Sequence, residues 1–598
     1  MNLLQKNKRL KRGLAAVLML LLLLPMLFSC NSRENEEEGT TTEESTETTT
    51  PAESGKLEDV VPEFPSDPEK ETPPENPEVS LYEWSQQVYS GTTKRGCKTI
   101  TVLAQYNKGL DYDVYCQKDT TTKQYYLYLP CRVDLSAITY TVTHKDDTVS
   151  GPYTVDLSDT DIDDNERVVG NSNSYVIVAK QSNLPTVMVQ VDEQYVTIKE
   201  LNADPDHKTY AYGDMVTTVT DEMAREKGWS TRYESKDTDP NKHCSLDIRG
   251  RGNTTWKLTK RPYQIRCEND IDLLGMGRSG TYAIMANYRD VTGARTQLAM
   301  DLGIALGLDY TSRHCQVDFF LNGTYMGMYV IMEKVEVAPN RVEIDEDVDI
   351  LFEVDQYYAE QGEFGVNLQK YEGQCRFRIH SPTDPGTSAR SKRIITSAID
   401  ALFSGDEKRF LEWFDLESWA KACFVQLYTM NNDAYHGSFY FYYSNEDGKM
   451  HACCPWDFDW SFGVAYGKDA LSQDPLTCNW TSRGVAKPMM EYKAFQMALL
   501  KLYYEQGGRE IIAGMPDRVE AYEEENYLSA QMNITMLGTN VYYYPSAKQS
   551  PVYYTSYKEV TDYTSAVDFL YNICRARVRF MENYMQQISI WCKYEPNV

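Results

Sequence analysis

The sequence has little positive charge, and this shortage limits what the protein can bind. Its 598 residues include 60 lysines and arginines against 88 aspartates and glutamates, which gives a formal net charge of −28. Nucleic acids and anionic membranes attract positively charged surfaces, so this balance argues against both as the main ligand. The sequence also lacks a CxxC pair, a cysteine–histidine cluster and any internal repeat. A zinc site held by cysteines is therefore not expected.

The N-terminus reads as an export signal. Basic residues at 6–12 precede an apolar segment, Leu14–Phe28, which is too short and too early for an ordinary membrane-spanning anchor. The segment ends in Leu27-Phe28-Ser29-Cys30, which resembles a bacterial lipobox. This resemblance implies cleavage before Cys30 and lipidation of its thiol. We therefore expect a lipoprotein signal peptide at 1–29 and a membrane-anchored protein on the extracytoplasmic face or surface of a bacterial cell. A plain signal peptide with a chance cysteine is the alternative.

The cysteines do not define a disulfide framework, although export permits disulfides. The 14 cysteines are irregularly spaced, and we interpret most of them as small core residues. A bridge, if present, is expected among Cys97, Cys116 and Cys131. The adjacent Cys453 and Cys454 lie in a predicted strand, so their side chains are expected to point to opposite faces.

Two regions of different composition follow the signal. Residues 31–80 hold 16 acidic residues against 3 basic ones and almost nothing apolar. We expect 30–80 to be a disordered, acidic Thr/Glu/Pro-rich tether. From 81 to 204, short β-branched or aromatic runs alternate with polar turns. This pattern predicts a small all-β, sandwich-like domain.

From 205 to 598 the pattern mixes helices and strands, so the predicted fold class is α+β. "CSLDIRGRGNTTW" predicts a strand and a glycine-containing loop, and "RPYQIRCE" predicts the returning strand. "DVTGARTQLAMDLGIALGL" predicts a helix with Asp290 or Thr292 as its cap. Asn322-Gly323 between apolar runs predicts a hairpin. "LESWAKACFVQLYTMNN" predicts a second helix, and the Tyr-rich C-terminal part is expected to be mostly helical.

The residues after this second helix suggest phosphoryl transfer. Asp433 lies in a loop, a predicted hairpin follows, and the hairpin's second strand leads into Asp457-Phe458-Asp459. Protein kinases have the same order: an aspartate that accepts the substrate hydroxyl proton, a hairpin, and an aspartate that holds Mg²⁺. Period-two alternation would place Asp457 and Asp459 on one side of the strand. Upstream, the loop in "RGRGNTTW" offers N–H and cationic groups to a phosphate chain.

Five blocks of the sequence, taken in order, resemble the CotH family of spore-coat-type, atypical secreted protein kinases. The blocks are "IRGRGNTTWKLTKRPYQIRC", "NYRDVTGARTQLAMDLGIALGL", "FLNGTYMGMYVIMEKVEV", "MNNDAYHGSFYFYYS" and "PWDFDWSFG". The resemblance implies a remote, two-lobed kinase-like fold over 205–598. It also implies ATP and Mg²⁺ or Mn²⁺ as cofactors. The reaction that it implies is phosphoryl transfer to a Ser or Thr hydroxyl of an exported or surface protein.

The resemblance further implies roles for individual residues. Asp433 would be the catalytic aspartate, and Asp457 would bind the metal with Asp459 as a second ligand or as its orienting group. Glu333 would orient one of the cations that contact ATP, and Arg266 is expected to point inward. The residues implied to bind ATP are Arg249, Arg251, Asn253, Lys260, Arg266 and Glu333.

Three departures from the kinase pattern leave an alternative open. Arg266 stands where the family often has a lysine, and Gln264 replaces a common basic residue. Ser438 stands where protein kinases have a metal-binding Asn. The chain could therefore be a surface-anchored structural or glycan- or protein-binding lipoprotein that keeps a decayed kinase scaffold. In that case Asp457 and Asp459 would cap a turn or pair with an arginine such as Arg289 or Arg295.

Overall fold

The structure is a computed structural model, and it describes most of the chain from residue 96 onward. The described residues are 96–119, 124–158, 167–172, 175–235, 244–252, 255–288, 290–357, 364–368, 370–371, 375–431, 434, 437–463, 484–537 and 562–595. The predicted signal peptide, Cys30 and the tether lie outside these ranges. Within these ranges, no helix combines the length and the apolar character that crossing a membrane requires.

Eleven α-helices fall within the described ranges, and the last five of them follow the final strand in sequence. The helices are α1 (Ile198–Ala203), α2 (Asp221–Lys227), α3 (Arg295–Ala305), α4 (Pro385–Leu402), α5 (Glu407–Trp413), α6 (Leu416–Thr429), α7 (Ala486–Met489), α8 (Lys493–Tyr504), α9 (Gly508–Ala513), α10 (Met515–Leu537) and α11 (Tyr563–Cys592). The helical C-terminal part predicted from the sequence corresponds to α7–α11.

The N-terminal part is rich in β-structure, as predicted. Its strands form two four-stranded sheets with the orders β2-β1-β5-β6 and β3-β4-β8-β7. Ile100 and Val142 of the first sheet pack in one core with Leu127 and Ile177 of the second. The strands are β1 (Cys97–Val102), β2 (Val114–Tyr115), β3 (Gln117–Lys118), β4 (Tyr125–Leu129), β5 (Ile138–His144), β6 (Val149–Val155), β7 (Arg167–Ser172) and β8 (Tyr175–Gln181).

The next eight strands form a sheet that closes on itself. The order is β11-β10-β12-β13-β14-β16-β15-β9, and β9 also pairs with β10, so seven strands make a barrel. Alternate residues such as Met215, Ile248, Ile265, Phe319 and Ile331 fill its interior. The strands are β9 (Thr186–Val191), β10 (Tyr210–Thr218), β11 (Arg232–Glu234), β12 (Leu246–Gly250), β13 (Tyr263–Ile271), β14 (Ser279–Met285), β15 (His314–Leu321) and β16 (Thr324–Glu333).

The barrel corrects the domain boundary expected between residues 204 and 205. Strand β9 precedes that boundary, yet it pairs antiparallel with β10 and parallel with β15. Its apolar residues Val187, Val189 and Val191 belong to the barrel interior. The sequence could not reveal this, because a strand's own alternation does not say which sheet it joins.

A five-stranded sheet packs against the helices that follow it. The order is β18-β19-β17-β20-β21, and every pairing is antiparallel. Phe352 and Phe441 face the helices, where Trp419 of α6 stacks on Phe441 with ring centroids 4.7 Å apart. The strands are β17 (Ile350–Val354), β18 (Gly365–Asn367), β19 (Arg376–Ser381), β20 (Phe439–Ser444) and β21 (Lys449–Cys453).

The cysteines differ from expectation in two ways. The twelve cysteines within the described ranges, Cys97, Cys116 and Cys131 among them, are free thiols. Cys453 and Cys454 are both buried in the main core, and the neighbouring Cys454 thiol adds to burial in raising the pKa of Cys453. The prediction that their side chains point to opposite faces is therefore wrong. The reason is that β21 ends at Cys453, and Cys454 has a φ of +46° instead of an extended backbone.

A polar network around Asp301 joins α3 to β15 and α10. Its carboxylate accepts hydrogen bonds from the Tyr522 hydroxyl at 2.6 Å and from Arg518 Nε at 2.9 Å. His314 Nε2 lies 3.4 Å from the other carboxylate oxygen. Burial alone would raise the pKa of Asp301, but these neighbours lower it to about 2. An unfolded aspartate titrates near 3.9, so the folded protein binds this proton more weakly than the unfolded chain.

We expect Asp301→Asn to lower the free energy of unfolding at pH 7 by about 2 kcal/mol. The Asp301 contribution is fully present above about pH 4 and is lost as the pH falls through about 2. The variant should therefore lose less stability than wild type between pH 4 and pH 2. Urea unfolding at a series of pH values measures this. Exposed Asp206→Asn is the matched control, and equal acid sensitivity of wild type and Asp301→Asn would contradict the assignment.

Candidate active site

The turn between β12 and β13 is fixed by two glycines. A Cβ on Gly250 would lie 2.4 Å from the Trp256 ring, and Gly252 has a φ of +79°. Trp256 is itself held in place, because its Nε1 donates to the Asp204 carbonyl at 2.7 Å. These positions therefore tolerate only glycine without rearrangement. The predicted phosphate-binding residue Asn253 lies outside the described residues.

Arg251 extends from this turn toward the end of the five-stranded sheet. Its guanidinium carbon lies 5.0 Å from the centre of the Trp456 ring, and its Nη1 lies 3.3 Å from the Met285 sulfur. Cation–π contact of this kind stabilises an arginine in a fixed orientation. The turn and the "PWDFD" segment, which are far apart in sequence, therefore meet at Arg251.

The electrostatic surroundings of Arg251 are acidic. Burial lowers the pKa of Arg251, while the nearby Tyr440, Asp457 and Glu353 act in the opposite direction by favouring the charged form. An arginine keeps its proton in proteins. The structure thus brings the predicted phosphate-loop arginine, Arg251, and the predicted metal aspartate, Asp457, into one electrostatic cluster.

The "PWDFD" segment is not the strand that the sequence predicts. Strand β21 ends at Cys453, and Asp457 has a φ of +62°. Period-two alternation therefore does not place Asp457 and Asp459 on one side. Asp459 is buried and Asp457 is half-buried. Trp456 and Phe458 are buried in the main hydrophobic core, whereas Trp460 is half-buried.

Left-handed backbone is concentrated near this segment. Ser438, Cys454, Asp457 and Phe462 all have positive φ values, between +46° and +63°. Such conformations cost free energy for residues other than glycine, and they persist where the surrounding fold enforces them. The backbone around the candidate site is therefore held in an unusual shape. Asp433, the predicted catalytic aspartate, lies outside the described residues.

Asp457 and Asp459 are the described residues whose chemistry suits a divalent metal at this site. Mg²⁺ prefers carboxylate oxygens and is commonly held by one or two carboxylates together with substrate phosphates. Within the described ranges, no group of three or more His, Cys, Asp or Glu side chains converges as a metal site. A metal here would therefore rely on these two carboxylates, on the nucleotide and on residues outside the described ranges.

Glu353 is a member of the cluster that sequence reasoning missed. It lies on β17, directly opposite Tyr440 of β20 and Arg378 of β19. Its Oε1 lies 3.2 Å from His380 Nε2. Burial would raise the pKa of Glu353, but His380, Tyr440 and Arg378 lower it overall. The sequence does contain a signal that points to Glu353, because it is a carboxylate in the otherwise apolar strand "ILFEV" and a buried charge needs partners.

Two of the predicted ATP-binding cations face the outside of the barrel. Arg249 and Arg266 lie on the same outer face of the β12–β13 pair, because they oppose Gln264 and Asp247. Arg249 Nη2 lies 3.3 Å from Gln264 Oε1, and its Nε is enclosed without a hydrogen-bond partner. Arg266 binds Asp247 at 2.6 Å with 62% of its side chain exposed. The prediction that Arg266 points inward is therefore wrong.

Lys260 and Glu333 lie away from Arg251. Buried Lys260 donates to the Met328 carbonyl and sits 4.5 Å from the centre of the Tyr329 ring, and burial lowers its pKa to about 7. Glu333 binds Arg313 at 2.7 Å and also Arg341. The expectation that Glu333 pairs with Lys260 or Arg266 is wrong. Glu333 shares the inner face of the barrel with Tyr282, whereas Arg266 faces outward.

Comparison with protein families agrees with the sequence blocks. A family model described as CotH kinase protein matches residues 248–581, which is more than half of the chain. The chain belongs to the CotH kinase family. The family predicted from the sequence is therefore confirmed. No curated protein matches the chain.

The CotH match has a clear limit within the structure. It begins inside β12 and includes Arg251, Glu353, Asp457 and the predicted catalytic position Asp433. It excludes β1–β11, so β9 and β10, whose pairing closes the barrel, precede the CotH region. The contacts of Arg251 thus lie within the CotH region, while the N-terminal sheets are an addition to it.

Proposed function

We propose that this CotH-family protein is an ATP- and divalent-metal-dependent kinase that phosphorylates Ser or Thr hydroxyls of an exported or surface protein. Family membership supports phosphoryl transfer as the reaction class. The observation that carries the proposal is the joint position of Arg251, Trp456 and Asp457. These three residues bring a glycine-bounded turn and an acidic segment together.

The proposed reaction moves the γ-phosphoryl group of ATP to the acceptor oxygen. Arg251 and Arg249 would bind phosphate oxygens, since guanidinium groups bind phosphate with paired hydrogen bonds. Asp457 and Asp459 would hold the divalent cation, which would supply charge neutralisation. Asp433 would accept the hydroxyl proton as the new P–O bond forms, and ADP would leave. Positioning and electrostatics then provide most of the acceleration.

In this proposal the barrel and the five-stranded sheet act as the two lobes of a kinase. Arg251 belongs to the barrel side, and Glu353, Tyr440 and Trp456 belong to the sheet side.

Lipidation at Cys30 would keep the enzyme on the extracytoplasmic face of the membrane, and its acceptors would be exported proteins.

Binding of Mg-ATP tests the proposed site before any acceptor is known. A ligand present at 100 times its Kd raises the free energy of unfolding by about 2.7 kcal/mol. We therefore expect Mg-ATP to raise the Tm of wild type, and Arg251→Ala to reduce this rise. Exposed Arg225 of α2 provides the control, because Arg225→Ala should behave as wild type. No shift at millimolar Mg-ATP would favour a binding protein without catalysis, and an unchanged shift in Arg251→Ala would show that ATP binds without Arg251.

A further inference from the structure

A groove opens where the N-terminal sheets meet the barrel. It encloses about 850 Å³, within the range of roughly 300–1,000 Å³ usual for small-molecule sites. Tyr115 of β2 forms one wall, and the Asn322–Thr324 turn of the β15–β16 hairpin lies beside it. Gln190 of β9 and Asp214 of β10 line the barrel side. None of these residues belongs to the candidate active site.

The walls of this groove are fixed by backbone contacts. The Tyr115 N–H donates to the Gly323 carbonyl at 2.9 Å, and the Val191 N–H donates to Asn322 Oδ1 at 2.6 Å. A Cβ on Gly323 would lie 2.1 Å from the Asp113 carbonyl oxygen, so only glycine permits this approach. A groove with walls held in this way is formed before a ligand binds, which reduces the entropy cost of binding.

The groove is polar, and the described residues that line it include no lysine or arginine. The groove has three carboxylates, and each already accepts a hydrogen bond. Asp192 accepts from the Gln194 N–H at 3.0 Å, Glu193 from the Ile198 N–H at 3.2 Å, and Asp214 from the Ser245 hydroxyl at 2.7 Å. The side-chain amides of Gln190 and Gln194 have no hydrogen-bond partner within the described part of the chain. The groups available to a ligand are therefore neutral amides that both donate and accept.

One exposed tyrosine lines the groove, and two others lie close in sequence to lining residues. Tyr115 is 41% exposed, Tyr212 is 46% exposed and Tyr195 is 62% exposed. Tyr212 lies two residues from Asp214 on the same face of β10, and Tyr195 directly follows Gln194. A tyrosine ring combines an apolar face with a polar hydroxyl, which suits a ligand that has both characters.

We propose that this groove binds a neutral oligosaccharide. Sugar rings present C–H faces that pack on tyrosine and hydroxyl groups that pair with amides, which matches Tyr115, Gln190 and Gln194. A cationic peptide is the competing ligand, because Asp192, Glu193 and Asp214 line the groove, but it would have to share each carboxylate with a donor that the protein already supplies. The groove residues from Tyr115 to Cys244 precede the CotH match. Glycan binding would therefore be a function added by the N-terminal region.

The test is calorimetric titration of the full chain with four neutral probes: cellotetraose, chitotetraose, laminaritetraose and maltotetraose. We expect at least one probe to bind. Tyr115→Ala and Gln190→Ala should each lower the affinity for that probe about tenfold. Tyr115→Phe should retain binding because the ring is kept. Gln194→Ala removes the other amide from an exposed segment, so it should weaken sugar binding without affecting folding.

Tyr357→Ala is the matched control, because Tyr357 is 49% exposed and lies outside the groove. Its affinity for the probe should equal that of wild type. Failure of wild type to bind any of the four probes would overturn the proposal. Salt-sensitive binding of tetralysine in place of the sugars, weakened by Asp192→Asn, would also overturn it and would assign the groove to a cationic peptide.

Discussion

Asp457→Asn is expected to lower the rate of phosphoryl transfer about 10²–10³-fold, as removal of one key electrostatic group does in other enzymes. The reason is that asparagine keeps the size of the side chain and removes the negative charge that would hold the cation. Asparagine also suits the backbone, because Asp457 has a φ of +62°, a conformation that Asn adopts more easily than Ala. Initial rates with [γ-³²P]ATP and an acceptor protein measure the effect.

The control for this substitution is Asp517→Asn on the exposed side of α10, which should keep the wild-type rate. Thermal unfolding of both variants shows whether the fold is intact. If the folded Asp457→Asn variant keeps more than about one tenth of the wild-type rate, Asp457 does not hold the metal. The proposed function would then need another carboxylate in that role.

Asp290→Ala is expected to destabilise the protein by about 3–5 kcal/mol. Asp290 pairs with Arg295 at the start of α3 at 2.5 Å, and both side chains are 0% exposed. Asp290 Oδ2 also accepts the Arg295 backbone N–H at 2.8 Å. Removal of Asp290 leaves a buried guanidinium without this carboxylate, and breaking a buried pair in this way is costly. Urea unfolding gives the change in free energy.

A double variant separates the charge from the packing. Asp290→Ala combined with Arg295→Met removes both charges and retains an unbranched side chain, so it should be more stable than Asp290→Ala alone. If Asp290→Ala costs less than about 1 kcal/mol, the pair does not anchor α3. A double variant no more stable than Asp290→Ala would show that lost helix-start hydrogen bonds account for the cost.

The sequence predicted local elements well, because their signals are local. Asn322 and Gly323 form the predicted hairpin turn, with φ values of +44° and +69°. The helix predicted within 416–432 is present as α6, which ends at Thr429, and the predicted C-terminal helical part includes α11. Asp290, one of the two predicted caps, does accept a backbone N–H at the start of α3.

Residue-level roles were harder to predict, because they depend on which faces of distant strands meet. Sequence alternation correctly places Arg266 with Gln264 on one face, but it does not reveal that this face is the exterior of a closed barrel. Glu333 pairs with Arg313 and Arg341, which approach it from other segments. Tertiary contacts of this kind leave no periodic pattern in the sequence.

Glu353, unlike Arg266 and Glu333, can be recognised from the sequence around it. A carboxylate within an apolar strand requires compensation, and the structure provides it through His380, Tyr440 and Arg378. Asp457, which stands between Trp456 and Phe458, shows the same signal. An isolated acidic residue in an apolar run is therefore a useful pointer when the fold is unknown.

The most direct test of the proposed kinase activity is transfer of ³²P from [γ-³²P]ATP by the purified wild-type protein. The acceptor is the exported protein fraction of the source organism, and label is followed with and without Mg²⁺ or Mn²⁺. The account predicts metal-dependent label on Ser or Thr residues, and no label above background with Asp433→Ala. Absence of label under every metal condition, or equal labelling by Asp433→Ala, would contradict it.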